Sequence, residues 1–413
     1  MASQFVARVC GVAALVTGIS RGLPEACRRQ SAPMSKAGSP LSFSNDGVFK
    51  ISIFEDLHFG ENAWEAWGPA ADIKTVGVIK KVLDDEKPDL VVLNGDLITG
   101  ENAYLENATF VLDQLVKPMV ERGLPWASTY GNHDYQLNIT GSDILAREKQ
   151  WPNARTQKMV SNPNAGVSNY YLPVYPSDCT RDDCRPEVVL WFFDSRGGFA
   201  YMQTNPDDSV KMVGQPNWVD ESVVDWFRTT SADLDKRHDA KIPGVAFVHI
   251  PPRASRAIQD KGVDAEKNPG INDDKPLSHQ AEGWCEDGGQ KAGCDYGGQD
   301  VAFMKAVSES PGVVGVFSGH DHGNSWCTKW KGKVDGVAVD GTGVNLCFGQ
   351  RTGYGGYGSW IRGSRQLFLT RDMLARGELD TSIRLESGKV VGSVTLNSTY
   401  GEDKYPVTPN DRT

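Results

Sequence analysis

Residues 48–54 read VFKISIF and residues 89–93 read DLVVL, and each stretch is followed within three residues by an aspartate. The first stretch is rich in β-branched and aromatic residues, and the second is a nearly continuous apolar run, so both predict strands. Between them, apolar residues recur at helical spacing from Ile73 to Leu83, and the pattern stops before Pro88. This strand–helix–strand unit decides the fold class.

The same unit recurs along the chain. Further strands are predicted at residues 125–130, 187–193, 244–248 and 313–317, and further helices at about 103–122, 216–234 and 300–308. Alternating strands and helices predict an α/β sandwich with one core. The tail from residue 334 alternates short strands with Gly-rich turns, and no internal repeat or linker is visible. Residues 45–413 are therefore expected to form one domain.

Composition excludes several classes of protein. The 413 residues include 43 Lys and Arg against 53 Asp and Glu, and 39% of them are hydrophobic, which is typical of a globular protein rather than of a collagen, coiled coil or disordered chain. The longest apolar run, Val9 to Val16, is too short to span a bilayer. A net charge of −10 argues against nucleic-acid binding by bulk charge, but a local metal charge would still allow a small phosphorylated substrate.

The N-terminus predicts a targeting segment. Arg8, a mild apolar stretch and the small residues around Gly18 indicate a secretory signal peptide over residues 1–20. An organellar transit peptide is an alternative because the region up to Lys36 is rich in Arg and poor in acids; the absence of any targeting segment is another. Residues 21–44 predict a flexible leader. The expected location is secreted or vacuolar and endomembrane, with an organellar or cytoplasmic location as alternatives.

Cysteine spacing also favours a secreted or endomembrane location. Six of the eight cysteines form three close pairs, and six cysteines allow 15 connectivities. From proximity alone we expect the sequential pairing: Cys179 with Cys184, Cys285 with Cys294, and Cys327 with Cys347. Free thiols in a cytosolic protein are the alternative. Glycan acceptor sequences occur at Asn107, Asn138 and Asn397, a number close to what chance supplies.

Five short motifs stand just past the ends of predicted strands. They are Asp56-Leu57-His58, Gly95-Asp96, Gly131-Asn132-His133-Asp134, Val248-His249 and Gly319-His320-Asp321-His322. In open α/β sheets, ligands gather at the carboxyl ends of the strands, so these residues are expected to meet. Five of the seven histidines of the chain belong to these motifs, which makes five separate core histidines a poor alternative.

The residue types in the motifs indicate a metal centre. Asp, His and one Asn are ligands for divalent and trivalent metals, and they are too many for one ion. We expect two ions that share one bridging carboxylate. The glycines before Asp96, Asn132 and His320 are expected to let the backbone turn sharply.

In this order and spacing, the motifs resemble the calcineurin-like metallophosphoesterase family over about residues 46–370. The resemblance implies a four-layer αββα sandwich with a two-metal site between the sheets. It also implies two ligand sets sharing Asp96 as the bridge, one set being Asp56, His58 and His322 and the other being Asn132, His249 and His320. By the same resemblance, His133 is the catalytic imidazole and Asp134 orients it.

The Gly- and Tyr-rich stretch RTGYGGYG at residues 351–358 resembles a fungal and plant branch loosely grouped with purple acid phosphatases. Typical members of that group carry Gly-Asp-x-x-Tyr, whose tyrosine is a metal ligand. Here Thr99 stands in place of that tyrosine, and His58 stands where those enzymes have glycine. We therefore expect no tyrosinate–iron centre, and Fe, Zn and Mn all stay open as the metals.

These features predict a phosphomonoesterase that acts on a small phosphorylated substrate or a phosphoprotein. A hydroxide activated by two metals would attack the phosphate, and His133 would give a proton to the leaving group. A phosphodiesterase acting on a nucleotide or lipid headgroup is the first alternative. A non-catalytic binding protein on the same fold is the second.

Specificity is expected to come from loops. Residues 251–299 follow His249 and are long, polar and Gly-rich, so they predict either a functional loop or an insertion without fixed structure. Three arginines flank the Gly- and Tyr-rich stretch, and they could contact a phosphate or form a solvated surface: Arg351, Arg362 and Arg365.

Overall fold

The computed structural model describes residues 39–105, 108–180, 183–205, 208–291 and 293–413. The predicted signal peptide, Cys10, Cys27 and Asn107 lie outside these residues, as does the predicted leader up to residue 38. Two large mixed sheets dominate the described part of the chain.

Sheet I has seven strands in the order β1-β5-β6-β9-β10-β12-β11. These are β1 (Leu41–Ser42), β5 (Tyr170–Tyr175), β6 (Val188–Phe193), β9 (Gly244–Val248), β10 (Val313–Ser318), β12 (Gly341–Phe348) and β11 (Cys327–Gly332). Strands β6, β9, β10 and β12 run parallel to one another. Their carboxyl ends therefore open at one edge of the sheet.

Sheet II has six strands in the order β15-β14-β13-β2-β3-β4. These are β15 (Val390–Leu396), β14 (Leu379–Leu385), β13 (Gly363–Thr370), β2 (Val48–Phe54), β3 (Leu90–Asn94) and β4 (Trp126–Thr129). Strands β2, β3 and β4 are parallel, with Ile53 opposite Val92 and Leu93 opposite Ser128. A separate hairpin pairs β7 (Phe199–Asn205) with β8 (Asp208–Gly214).

Seven helices complete the described fold. They are α1 (Trp67–Glu86), α2 (Val111–Arg122), α3 (Gly141–Glu148), α4 (Glu221–His238), α5 (Arg253–Lys261), α6 (Val301–Glu309) and α7 (Arg371–Leu374). Helix α1 ends at Lys87, which adopts a left-handed conformation just before Pro88, as the sequence predicts. Within the described residues, none of these helices combines the length and the apolar character needed to cross a bilayer.

Three apolar clusters separate four layers. One cluster lies between the sheets and joins Ile51 and Ile53 of β2 to Phe192 of β6 and Phe247 of β9. A second packs α1 and α2 on the outer face of sheet II, and a third packs α4 and α6 on the outer face of sheet I. The predicted αββα sandwich is confirmed.

Some predicted boundaries are wrong. The helix expected from about residue 103 begins at Val111, and short 3₁₀ turns precede it. Residues 41 and 42 belong to β1 instead of a flexible leader, because Leu41 and Phe43 are apolar and join the core between the sheets. The sequence patterns also missed β5, α3 and the β7–β8 hairpin.

The three sequential disulfides are confirmed: Cys179–Cys184, Cys285–Cys294 and Cys327–Cys347. The stretch at residues 251–299 also has fixed structure where it is described. It opens with α5, and Trp284 is buried edge-on against Trp218, with ring centroids 5.1 Å apart. The alternative of an insertion without fixed structure is therefore wrong for the described part of this stretch.

Candidate metal centre

The structure brings the five sequence motifs to one place, where the parallel strands of both sheets end. The first candidate ligand of each motif lies within three residues of its strand end, and these residues are Asp56, Asp96, Asn132, His249 and His320. Three sets of His and Asp side chains have ligand atoms within 4.8 Å of one another: Asp56, His58 and His322; Asp96, His249 and His320; and His58, Asp96 and His133. The structure therefore brings together six of the seven expected ligands in these sets, with His133 beside them; Asn132 is in none of the three.

Several candidate ligands have unusual backbone conformations. The φ angles of Asp56, His58, Asp96 and His320 are 50°, 51°, 49° and 79°. A positive φ is uncommon for residues other than glycine and is often found at functional sites. We expected the glycines before Asp96, Asn132 and His320 to let the backbone turn sharply, but of these three only Gly95 has a positive φ, at 92°. Four candidate ligands themselves adopt the left-handed conformation.

The glycines contribute close approach as well as turns. A Cβ atom on Gly95 would lie 2.2 Å from Nδ1 of His249. A Cβ atom on Gly131 would lie 2.3 Å from a carboxylate oxygen of Asp96. Any side chain at these two positions would therefore push candidate ligands apart.

The first set contains two imidazole rings whose outer nitrogens are already engaged. Nδ1 of His322 donates to the carbonyl oxygen of Tyr357 at 2.8 Å, and Nδ1 of His58 lies 2.9 Å from the hydroxyl of Thr99. Their Nε2 atoms then face each other at 3.1 Å. Beside them, Oδ2 of Asp56 is buried without a hydrogen-bond partner. Such second contacts fix the ring orientation of metal-binding histidines.

The second set has the clearest signature of a cation site. Nδ1 of His249 donates to the carbonyl oxygen of Asn94 at 2.9 Å, because a carbonyl can only accept. In a neutral ring, the lone pair on Nε2 then points at Oδ2 of Asp96, 3.0 Å away. Two acceptors at this distance are stable only with a positive charge beside them, which is either a metal ion or a proton on Nε2. Oδ1 of Asn132 is also buried without a hydrogen-bond partner, so this donor set fits a metal.

Electrostatics agree with this arrangement. Burial lowers the pKa of His58 and of His322 well below the usual range, and burial with His249 lowers the pKa of His320 to about 3. These three rings are therefore neutral, as metal ligands must be. Burial also opposes charge on His249, but Asp96 and Asp56 raise its pKa to about 10. That position favours a positive charge.

The two acidic residues of the sets differ from each other. Burial raises the pKa of Asp56 to about 6, although His249 opposes the rise. Burial acts on Asp96 as well, but His249 and His133 hold the pKa of Asp96 well below its usual range. Asp96 is thus the more strongly ionised carboxylate, and it contacts histidines from both sheets.

The expected partner of His133 is wrong. Asp134 is buried and its carboxylate accepts main-chain N–H groups of Gly131, Leu97 and Ile98 at 2.8, 3.2 and 3.0 Å. His133 and Asp134 stand on a 3₁₀ turn, where consecutive side chains point in different directions. Nδ1 of His133 instead pairs with Oε1 of Glu101 at 2.5 Å.

His133 lies close to the candidate ligands. Its ligand atom falls within 4.8 Å of those of His58 and Asp96, and its main-chain N–H donates to Asp96 at 2.8 Å. Burial would lower the pKa of His133, but Asp96 and Glu101 raise it to about 9. Its position is compatible with proton transfer and with metal ligation.

The Gly- and Tyr-rich stretch forms a loop that we call the loop wall, residues 351–358. The Tyr357 ring stacks on the ring of His322, with centroids 4.1 Å apart and planes at 13°. Its hydroxyl donates to Asp274 in the 251–299 stretch and accepts the main-chain N–H of His322 at 3.2 Å. Sequence reasoning missed Thr99, Glu101 and Tyr357, whose contacts are visible only in three dimensions.

Both interpretations of the three arginines are wrong. Arg351, Arg362 and Arg365 are buried, and their guanidinium groups donate mainly to main-chain carbonyls. Arg351 contacts three carbonyls of the loop wall, at Gly355, Tyr357 and Gly358. Arg362 also donates to the loop wall, at the carbonyl of Gly353, whereas Arg365 donates to the carbonyls of Phe348 and Ser325 outside it.

The sequence profile of the calcineurin-like phosphoesterase family matches residues 49–324. The chain is similar to the probable inactive purple acid phosphatase 14 of Arabidopsis thaliana, at 26% identity over 83% of this chain and 80% of that protein.

The chain is also similar to phosphatase DCR2 of Saccharomyces cerevisiae, at 27% identity over 72% of this chain and 48% of DCR2. Among solved structures, a dimetal phosphatase from Danio rerio aligns with 85% of this chain and 99% of its own, at 13% identity and a TM-score of 0.49. Because the family profile matches well over half of its residues, the chain belongs to the calcineurin-like phosphoesterase family.

Proposed function

We propose that this protein is a phosphomonoesterase that depends on two metal ions. The observation that carries the proposal is the cluster of buried donor atoms around Asp96, in which Oδ2 of Asp56 and Oδ1 of Asn132 have no hydrogen-bond partner and Nε2 of His249 lies 3.0 Å from Oδ2 of Asp96. Asp96 belongs to two sets of candidate ligand atoms, one with His58 and His133 and one with His249 and His320, which supports a shared, bridging carboxylate.

In this proposal Asp56, His58 and His322 hold one ion, Asn132, His249 and His320 hold the other, and Asp96 bridges them. When bound, two such ions neutralise phosphate charge and lower the pKa of water, so that hydroxide is available near neutral pH. The protein fixes the rings through main-chain and hydroxyl contacts, such as those of Asn94 with His249 and of Thr99 with His58.

His133 is the proposed general acid. Its Nδ1 faces Glu101, so Nε2 is the nitrogen that can release a proton. The oxygen of a hydroxide ion bonds to phosphorus, the bond between phosphorus and the alcohol oxygen breaks, and the alcohol leaves with the proton from Nε2. Glu101 positions the ring for this transfer.

The substrate would be a small phosphate ester or a phosphoprotein. The name of the Arabidopsis relative describes that protein as probably inactive, which brings forward a second candidate. In the second candidate the fold binds metal and a phosphorylated ligand without turnover. A phosphodiesterase acting on a nucleotide or a lipid headgroup remains the alternative within the enzyme class.

Metal analysis together with a substrate panel tests these candidates. The purified full chain should contain two metal ions and should hydrolyse 4-nitrophenyl phosphate faster than bis(4-nitrophenyl) phosphate. A faster diester reaction would favour the phosphodiesterase. Two bound ions without hydrolysis of either ester would favour the non-catalytic protein, and an absence of bound metal would overturn the proposal.

The metals are proposed to be Fe, Zn or Mn without a tyrosine ligand. Thr99 occupies the position at which typical purple acid phosphatases carry the tyrosine ligand, and its hydroxyl contacts His58. The nearby Tyr357 directs its hydroxyl at Asp274 and at the main chain of His322. An iron-loaded protein should therefore lack the visible absorption band of a tyrosinate–iron bond.

We also propose a secreted or endomembrane location. Three disulfides support an oxidising compartment. Protein from a eukaryotic secretory host should begin near residue 21 and carry a glycan on at least one acceptor asparagine, of which Asn138 and Asn397 lie in the described part of the chain. An intact Met1 with free thiols would contradict this location.

A further inference from the structure

An aromatic corner stands near the candidate site and has no part in holding the metals. Trp64, on the loop between β2 and α1, packs edge-on against Tyr104, on the loop after β3. Their ring centroids are 5.9 Å apart and the ring planes cross at 69°. Trp64 is 53% exposed and Tyr104 is 46% exposed, so the fold leaves much of this apolar surface open.

The corner adjoins the His133 side of the site. Glu101 pairs with His133, and Tyr104 follows Glu101 by three residues, so their Cα atoms lie within about 11 Å of each other. The main-chain N–H of Ala63, next to Trp64, donates to the carbonyl of Asn102 at 3.4 Å and ties the two loops together. The two loops that carry the corner therefore border the side of the site where His133 stands, which is the side from which the proposed leaving alcohol would depart.

The two loops that carry the corner contain acidic side chains and no Lys or Arg. Residues 51–73 and 88–116, which supply both loops, contain no Lys or Arg. The carboxylate of Glu65, next to Trp64, accepts the indole N–H of Trp67 at 2.8 Å. Because this donor is neutral, the contact does not balance the charge of the carboxylate. The second carboxylate oxygen of Glu101 is buried without a hydrogen-bond partner. Aromatic faces next to carboxylates attract a cation and disfavour a second phosphate.

We propose that the aromatic corner binds a positively charged ammonium group on the leaving alcohol. The preferred substrates are then soluble phosphate monoesters of amino alcohols, especially those with a quaternary ammonium. A flat aromatic group would stack on one ring face, whereas two crossed rings flanked by carboxylates suit a rounded cation. This inference rests on the proposed function, because it assumes that the phosphate sits at the metal centre.

A pair of substrates with the same shape tests the charge directly. Choline phosphate carries a trimethylammonium group, and 3,3-dimethylbutyl phosphate carries a neutral tert-butyl group in its place. With the metal-loaded full chain, kcat/KM should favour choline phosphate by roughly 3- to 30-fold, the range of cation–π interactions. Trp64→Ala and Tyr104→Ala should bring the ratio of the two kcat/KM values close to one. They should lower kcat/KM for choline phosphate more than kcat/KM for the neutral ester.

Tyr201→Ala is the matched control. Tyr201 is an equally exposed aromatic residue, at 46%, on β7 instead of the two loops. Its substitution should leave the ratio unchanged. If Tyr201→Ala lowers the ratio as much as Trp64→Ala does, the effect is not specific to the corner and the inference is overturned.

Calorimetric binding of choline phosphate to the metal-loaded protein separates this inference from the proposed function. Binding that Trp64→Ala weakens, without turnover of any ester, would support the corner and overturn the phosphatase. Hydrolysis of 4-nitrophenyl phosphate with a wild-type ratio near one would keep the phosphatase and overturn the corner. Faster hydrolysis of glycerophosphocholine than of choline phosphate would overturn the assignment to monoesters, and loss of both binding and turnover would overturn both proposals.

Discussion

The candidate metal centre has two walls that are built differently. One wall consists of strand ends, where Asp96 and His249 follow buried parallel strands and are held by main-chain pairing within the sheets. The other is the loop wall, residues 351–358, which is fixed by the buried guanidinium of Arg351 and by stacking of Tyr357 on His322. The strand-end wall carries most of the ligands, and the loop wall adjusts two of them.

The difference predicts separate effects on the two ions. Changes at the strand ends remove ligands and should affect both metal content and turnover. Changes in the loop wall remove none of the candidate ligands. They shift only the rings of His58 and His322, which belong to one set. Measurements of metal content and of rate in the same variants can therefore distinguish the walls.

Asp96→Asn should have the largest effect. The substitution removes the charge of the proposed bridge and leaves His249 opposite a neutral amide, so both ions lose an anionic ligand. We expect fewer than two metal ions per chain and a fall in kcat/KM of more than about 100-fold, beyond the range seen for residues that only support ligands. Elemental analysis and steady-state kinetics measure both. Two retained ions with near wild-type activity would contradict the bridge.

His133→Ala should come next. The ring is proposed to donate a proton and not to hold a metal, so metal content should stay at two ions. Turnover should fall by about 10²- to 10⁴-fold, the range for losing a general acid. Turnover of alkyl phosphates should fall more than turnover of 4-nitrophenyl phosphate, because nitrophenolate leaves with little need of a proton. Loss of a metal ion would identify His133 as a ligand, and equal loss for both esters would indicate a role in binding.

Glu101→Gln should have a smaller effect than His133→Ala. The amide can still contact Nδ1 of His133 but no longer offers a charged partner at 2.5 Å. We expect a fall in kcat of about 10- to 100-fold with little change in KM, comparable to the loss of a carboxylate that supports a histidine. The rate loss should again be larger for alkyl esters. Asp134→Asn is the comparison, and an equal dependence on the leaving group there would restore Asp134 as the partner of His133.

Gly356→Ala tests the loop wall. A Cβ atom there would lie 2.7 Å from Cε1 of His322 and 2.8 Å from Cδ2 of His58, and the residue has a φ of +69°. We expect about 10-fold weaker binding of one metal ion, measured by competition with a chelator. Gly332→Ala is the control, because its φ is +72° with no atom within 4 Å of the added Cβ. Equal weakening in both variants would assign the effect to general backbone strain.

The strand-end wall could be predicted from the sequence, whereas the contacts of the loop wall could not. Asp56, Asp96 and His249 directly follow short apolar strands, so the strand pattern alone brings them to one edge of the fold. The loop wall depends on contacts between residues far apart in the chain, such as Tyr357 with Asp274, and no local pattern records them. The prediction that Asp134 orients His133 was wrong for the same reason. Asp134 accepts main-chain N–H groups instead, and the partner of His133 is Glu101.

Tyr357→Phe should have the smallest effect and should show which part of the loop wall matters. The variant keeps the ring that stacks on His322 and the carbonyl that accepts from its Nδ1. It loses only the hydroxyl contacts with Asp274 and with the main-chain N–H of His322. We expect two- to fivefold weaker binding of one metal ion, since one net hydrogen bond contributes about 1 kcal/mol. An effect as large as that of Gly356→Ala would mean that the hydroxyl link to the 251–299 stretch, rather than the stacked ring, positions His322.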